Sequence, residues 1–151
     1  MYQSLIIIHS LLRWLVVLSM GCSIYRAWYG YRFLTPFTKT DNALRHWTAT
    51  IAHTQLLVGM VLYSQSPMVK YFNTGTGNMN GEPMFFGAIH IALMLIAIVV
   101  LTIGSAKAKR KTADSGKFRT MLLYFSIAAI IIFVAIPWPF SPWAHRPLIR
   151  L

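Results

Sequence analysis

Three histidines and one arginine stand inside long apolar stretches of the sequence. His9 and Arg13 lie one helical turn apart in the run IIIHSLLRWLVVL, and His53 and His90 lie in two later apolar stretches. Ionisable side chains are costly in an apolar membrane segment and often mark a functional site there. Imidazole is a standard ligand of haem iron, zinc and copper, and a guanidinium binds carboxylates. These four residues are therefore the candidate site.

The elements that must position these side chains are long apolar helices. Of the 151 residues, 56% are hydrophobic and 11% are charged, whereas soluble domains carry about 25% charged residues. Four stretches reach the roughly 20 residues needed to cross a bilayer, at about 2–28, 42–66, 83–107 and 117–137. The sequence predicts an all-α integral membrane protein, an antiparallel four-helix bundle forming a single transmembrane domain over residues 1–151.

The distribution of basic residues predicts the orientation of this bundle. The formal net charge is +11, and most of the basic residues fall in the first and third connections between the predicted helices. They are Arg26, Arg32, Lys39 and Arg45 in the first connection, and Lys107, Lys109, Arg110, Lys111, Lys117 and Arg119 in the third. The positive-inside rule places both connections in the cytoplasm and both termini outside, an N-out/C-out topology. We therefore expect a multi-pass protein of the bacterial inner membrane, with its first helix retained, that contacts membrane lipids and binds no nucleic acid.

Depth in the membrane distinguishes the histidines. With a rise of about 1.5 Å per residue, His9 lies about 10–12 Å and His90 about 10 Å below the outer ends of their helices, and His53 lies roughly 18–20 Å down. Helical spacing predicts an inward face through His90 that includes Gly87, which would leave room for a flat macrocycle beside the imidazole. On the second helix it predicts an inward face through His53 that includes His46, Thr50 and Leu57.

Three interpretations of the histidines remain open. They could form hydrogen bonds between helices and do nothing more. Two imidazoles from different helices could bind haem iron axially within a helical core. His9, His53 and His90 could instead converge on zinc or copper, although the greater depth of His53 counts against this arrangement.

Arg13 favours a ligand or a partner protein. A buried cation needs an opposite charge or several acceptors. The three acids of the chain, Asp41, Glu82 and Asp114, all lie in predicted connections. A haem propionate, a quinone oxygen, an acid on another subunit or backbone carbonyls could each meet the guanidinium. No Cys-x-x-Cys-His motif, phosphate-binding loop or catalytic acid pair is present, so a stand-alone enzyme is not indicated.

Four segments of the chain resemble a family of small four-helix membrane proteins from Bacteroidetes-type bacteria that are often labelled cytochrome b-like. The segments are HSLLRW, AHTQLLVG, the His90 segment with LMLIAIVVLTIGSAKAKRK, and IPWPF, and the resemblance covers nearly the whole chain. The family pattern tends to read Glu-His-Pro where this chain has Ile89, His90 and Ile91. This departure removes a membrane carboxylate and a proline but keeps the histidine.

The sequence thus predicts a b-type haem electron carrier with the haem near the outer leaflet. His9 and His90 are the expected axial ligands because their depths match, and His53 is the alternative ligand or a hydrogen-bond donor. Arg13 would neutralise a propionate of the noncovalent haem b, and a nearby quinone in its reduced form could supply electrons. The alternative is a cofactor-free accessory subunit of a larger inner-membrane complex. In either case we expect a membrane protein partner or a homo-oligomer.

Overall fold

The computed structural model describes residues 1–75, 81–141, 144 and 147, and the described residues form helices without any strand. The helices are α1 Tyr2–Arg32, α2 Lys39–Gln65, α3 Pro67–Thr74, α4 Glu82–Arg110 and α5 Asp114–Ala135. Within α4, the segment Phe85–Ile89 is π-helical, and α-helical geometry resumes at His90. These parts of the chain are therefore all-α, as predicted.

The predicted four-helix bundle is wrong, because the described part of the chain contains five helices. The additional helix α3 begins immediately after α2. The side-chain hydroxyl of Ser66 accepts a hydrogen bond from the backbone N–H of Val69, and Pro67 occupies the first turn of α3. Proline suits the first turn of a helix because a backbone N–H there would have no intrahelical acceptor, so its absence costs no hydrogen bond. Pro67 therefore starts a new helix as well as ending α2.

Three of the helices, α1, α4 and α5, are long and apolar enough to cross a membrane, which indicates a membrane protein. Helix α2 is long enough but is not among these candidate spans. Its sequence places Thr48, Thr50, His53, Thr54 and Gln55 within two turns, and these polar residues lower its mean hydropathy. The predicted N-out/C-out topology required an even number of spanning helices, and the three candidate spans remove its basis.

The long helices pack so that α1 and α4 face each other across the interior. Each of them packs against both α2 and α5. The core between them contains the large buried side chains Leu101, Phe118, Met121 and Phe125, together with small residues at close helix contacts. Small residues let helices approach closely where a membrane supplies no hydrophobic drive for their association.

The α1–α2 and α4–α5 connections lie together at one end of the molecule. The ring of Phe37 packs against the ring of Phe118, with 4.9 Å between centroids, and the Lys117 ammonium lies 5.1 Å from the Phe37 ring. Most of the basic residues of the chain belong to these two connections and the adjoining helix turns, so we call this the basic end. The opposite end contains the start of α1, α3 and the start of α4.

An ion pair fixes the start of α2 at the basic end. Arg26 donates from Nε to Oδ1 of Asp41 at 2.6 Å and from Nη2 to Oδ2 at 3.1 Å. The same carboxylate accepts a hydrogen bond from the backbone N–H of Thr38, while the Thr38 hydroxyl accepts from the backbone N–H of Asp41. This reciprocal capping box satisfies N–H groups that a helix start otherwise leaves unpaired.

Replacing Asp41 with alanine should therefore destabilise the protein by about 1–3 kcal/mol, because both the capping box and the two charge-assisted hydrogen bonds are lost. Thermal unfolding in detergent, followed by circular dichroism, measures this effect. Lys39→Ala is the matched control, since Lys39 is an exposed residue of the same helix turn. Equal melting temperatures for the two variants would contradict the stabilising role of the Asp41 carboxylate.

Candidate functional site

A cavity of about 220 Å³ lies between the helices at the end opposite the basic end. Residues of all four long helices line it, and α3 contributes Met68 and Val69. Most of the lining is aliphatic or aromatic, and a few polar side chains converge on it, which is the usual composition of a small-molecule site. The polar side chains include His9, Ser10, Arg13, Gln55 and His90. The structure thus brings three of the four predicted site residues together.

His90 is fixed by a hydrogen bond to the end of α5. Its Nδ1 lies 2.8 Å from the carbonyl oxygen of Ala135. Because a carbonyl can only accept, Nδ1 carries the proton, and the lone pair of the neutral ring is on Nε2. No hydrogen bond to a described residue engages Nε2. The ring therefore has a set orientation and one uncommitted nitrogen.

The π-helical segment before His90 is held by α2. The hydroxyl of Tyr63 donates to the carbonyl oxygen of Gly87 at 2.8 Å. π-Helical turns inside α-helices are frequent at functional sites, because they change the direction of the side chains that follow. Tyr63 and the π-helical turn together set where His90 enters the cavity.

Gly87 does not leave the open space beside His90 that its spacing suggested. A Cβ atom at Gly87 would lie 2.5 Å from Cγ of Phe72, so the ring of this α3 residue fills that space. The glycine adjoining a histidine in the cavity is instead Gly59 of α2. A Cβ atom there would lie 3.2 Å from Cε1 of His9.

His9 lies on the α1 side of the cavity and contacts α2. The side-chain Nε2 of Gln55 donates to the backbone carbonyl of His9 at 2.9 Å. The Nδ1 atom of His9 and the Oε1 atom of Gln55 are both buried, and neither has a hydrogen-bond partner among the described residues. Arg13, one turn along α1, lines the same cavity, and its guanidinium carbon lies 5.5 Å from the Trp14 ring.

His53 lies outside the cavity, on the exposed side of α2. Its Nδ1 is 2.6 Å from the carbonyl oxygen of Ala49, and its Nε2 is 3.1 Å from the hydroxyl of Thr102 on α4. Both ring nitrogens are thus engaged. The described residues contain no group of three or more histidine, cysteine or acidic residues placed to hold a metal ion. The three-histidine zinc or copper site predicted as one alternative therefore has no support in this part of the chain.

The predicted inward face of α2 is rotated away from the observed one. The sequence placed His46, Thr50 and His53 inward, whereas His46 and His53 are exposed and the buried side chains include Ala52 and Gln55. Sequence reasoning also missed Tyr63 and the π-helical turn. Ala52, Gln55 and Gly59 are three and four residues apart and so share one face of α2. This spacing was the sequence signal that could have placed Gln55 inward.

Comparison with known proteins adds no assignment to this site. No family model matches the sequence, and searches of curated proteins and of solved structures found no match.

Proposed function

We propose that this chain is a multi-pass electron-transfer protein of the bacterial inner membrane that binds one b-type haem between α1 and α4. His9 and His90 are the residues that would bind its iron. The observation that carries the proposal is the hydrogen bond from His90 Nδ1 to the Ala135 carbonyl, since it leaves Nε2 as the ring nitrogen able to bind iron in a cavity shared with His9. Ligating histidines almost always donate their other N–H in this way.

The placement of the two histidines supports a ligand held between helices. They belong to α1 and α4, which face each other across the interior and both contribute to the cavity lining. Cofactor sites in helical proteins are commonly built from facing side chains of this kind. Gly59 adds to this support, because a side chain at that position would press against the His9 ring.

The rest of the lining suits an amphipathic cofactor. Arg13 places a positive charge one helical turn from His9, where it would bind a propionate. Sites for organic ligands commonly enclose about 300–1,000 Å³, so this cavity must widen to enclose a macrocycle. Met60, Met68 and Met94 line it, and the flexible side chain of methionine makes these the residues expected to move aside.

Haem supplies reversible one-electron chemistry at its iron. The protein would hold the iron away from water and fix the orientation of both imidazoles. The lipid around the helices is the natural source of a reduced partner, and a quinol is chemically suited to this role because it is apolar. Its oxidation to the quinone releases two protons and would reduce two haems in successive one-electron steps. We therefore propose a quinol as the electron donor.

A reduced-minus-oxidised visible spectrum of the detergent-purified protein, with pyridine haemochrome quantitation and metal analysis, tests the proposal. We expect low-spin b-type bands and close to one haem per chain. A colourless preparation that stays unchanged after addition of haemin would overturn it.

The second candidate function is a cofactor-free accessory subunit, and the outward face of α2 favours it. His46, His53 and Thr54 are exposed on a helix that packs alongside apolar ones. Polar groups that face lipid are costly, whereas a partner subunit could cover them. On this alternative, protein solubilised in a mild detergent contains no haem and elutes with a membrane protein in a fixed ratio.

A further inference from the structure

Two buried polar atoms in the cavity have complementary chemistry once a histidine binds iron. Nδ1 of His9 and Oε1 of Gln55 are buried, and neither has a hydrogen-bond partner among residues 1–75, 81–141, 144 and 147. Buried polar atoms without partners are rare in native proteins, and each such atom calls for an explanation. Both atoms belong to side chains that line the same cavity.

The role of each atom follows from its chemistry. If Nε2 of His9 binds iron, Nδ1 retains its proton and becomes a buried donor. The Gln55 amide directs its nitrogen to the His9 carbonyl, 2.9 Å away, so its oxygen is the free end and can only accept. Gln55 is 9% exposed, and its side chain is anchored to the residue whose ring needs an acceptor.

We infer that Gln55 is a positioning residue, whose Oε1 accepts the Nδ1–H of His9 when His9 binds iron through Nε2. This inference rests on the proposed haem site and assigns Gln55 a role that it would perform through the His9 ring. Both histidines would then donate Nδ1–H to a carbonyl oxygen, since His90 donates its Nδ1–H to the Ala135 carbonyl. Such partners fix the orientation of the ring and raise the basicity of the ligand.

Two substitutions separate this role from a merely structural one. Gln55→Leu removes both the donor to the His9 carbonyl and the acceptor for the His9 ring. Gln55→Glu, as a carboxylate, removes the donor but retains a stronger acceptor. We expect Gln55→Leu to weaken haem binding by about 10- to 100-fold, the usual effect of losing such a partner, and to raise the midpoint potential. We expect Gln55→Glu to retain haem and to lower the potential.

Haem titration and potentiometry of both variants measure these effects, with His53→Ala as the control. At a fixed potential we expect the ratio of oxidised to reduced protein to change at least tenfold between the two Gln55 variants, or about 59 mV. If Gln55→Glu behaves like Gln55→Leu, the side chain acts only through the His9 carbonyl and the inference is wrong. If the wild-type protein binds no haem, the proposed function fails first and the inference fails with it.

A measurement on the wild-type protein keeps the test valid if a variant does not fold. In ¹⁵N-histidine-labelled, reduced protein, the His9 Nδ1–H should exchange slowly with water, because it is buried and hydrogen-bonded. The Nδ1–H of His90 provides an internal reference. Rapid exchange at His9 beside slow exchange at His90 would overturn the inference and leave the haem proposal standing.

Discussion

His90→Ala and His9→Ala are each expected to lose at least about tenfold in haem retention, whereas His53→Ala should retain haem at the wild-type level. Removing an iron ligand should cost no less than the 10- to 100-fold that is typical for loss of a residue that only supports a ligand. His53 is the matched control because it is a histidine of a neighbouring helix, lies outside the cavity and has both ring nitrogens engaged elsewhere. Pyridine haemochrome quantitation of the purified variants measures the difference.

Loss of haem must be distinguished from loss of the fold. His90→Ala also removes the hydrogen bond to the Ala135 carbonyl, so helical circular dichroism and gel filtration should accompany the haem assay. Imidazole added to His90→Ala should restore low-spin bands, because the deleted ring leaves space for it beside the cavity. Full haem occupancy in both alanine variants would show that another pair of ligands holds the iron.

Gly104→Ala is expected to destabilise the protein by about 1–3 kcal/mol, the usual cost of overpacking a tightly packed interior. Gly104 lies where α4 meets α5, and an added Cβ atom would overlap Cβ of Tyr124 and approach its Cγ to 2.7 Å. A Cβ atom cannot move by side-chain rotation, so relief requires the two helices to separate.

Gly21→Ala is the matched control for this substitution. A Cβ atom at Gly21 would meet no heavy atom within 4 Å beyond its chain neighbours and the backbone of its own helix, α1. Alanine favours helix over glycine by up to about 1 kcal/mol, so this variant should melt at or above the wild-type temperature. If Gly104→Ala and Gly21→Ala have the same melting temperature in detergent, the contact between α4 and α5 at Gly104 is not tightly packed.

The apolar runs of the sequence predicted helical segments because composition and length alone carry that signal. The four long helices begin and end within a few residues of the predicted bounds. The fifth helix was missed because Pro67 signals both the end of one helix and the start of the next. A membrane span was predicted at α2 because its residues were judged by their lack of charge. Threonine, histidine and glutamine also lower hydropathy, and α2 is not among the candidate spans.

The candidate site was predictable only in part. His9, Arg13 and His90 share a cavity. Their proximity was predictable because the number of residues from a helix end gives the depth of each side chain. The orientation of α2 was not predictable from its histidines, because Ala49 and Thr102 satisfy the polar atoms of His53 on the outside. The π-helical turn was not predicted from the sequence, because the hydroxyl that binds its Gly87 carbonyl comes from Tyr63, a residue distant in the sequence.

The π-helical turn makes the number of residues in this part of α4 matter as much as their identity. A π-helix contains one more residue than an α-helical turn in the same position, and each residue rotates the chain by about 100°. Deleting one residue from Phe85–Ile89 would therefore rotate the start of α4 relative to His90 and separate Gly87 from Tyr63 and Phe72. A single-codon deletion in this stretch, with every other residue unchanged, would therefore change which side chains of α4 line the cavity.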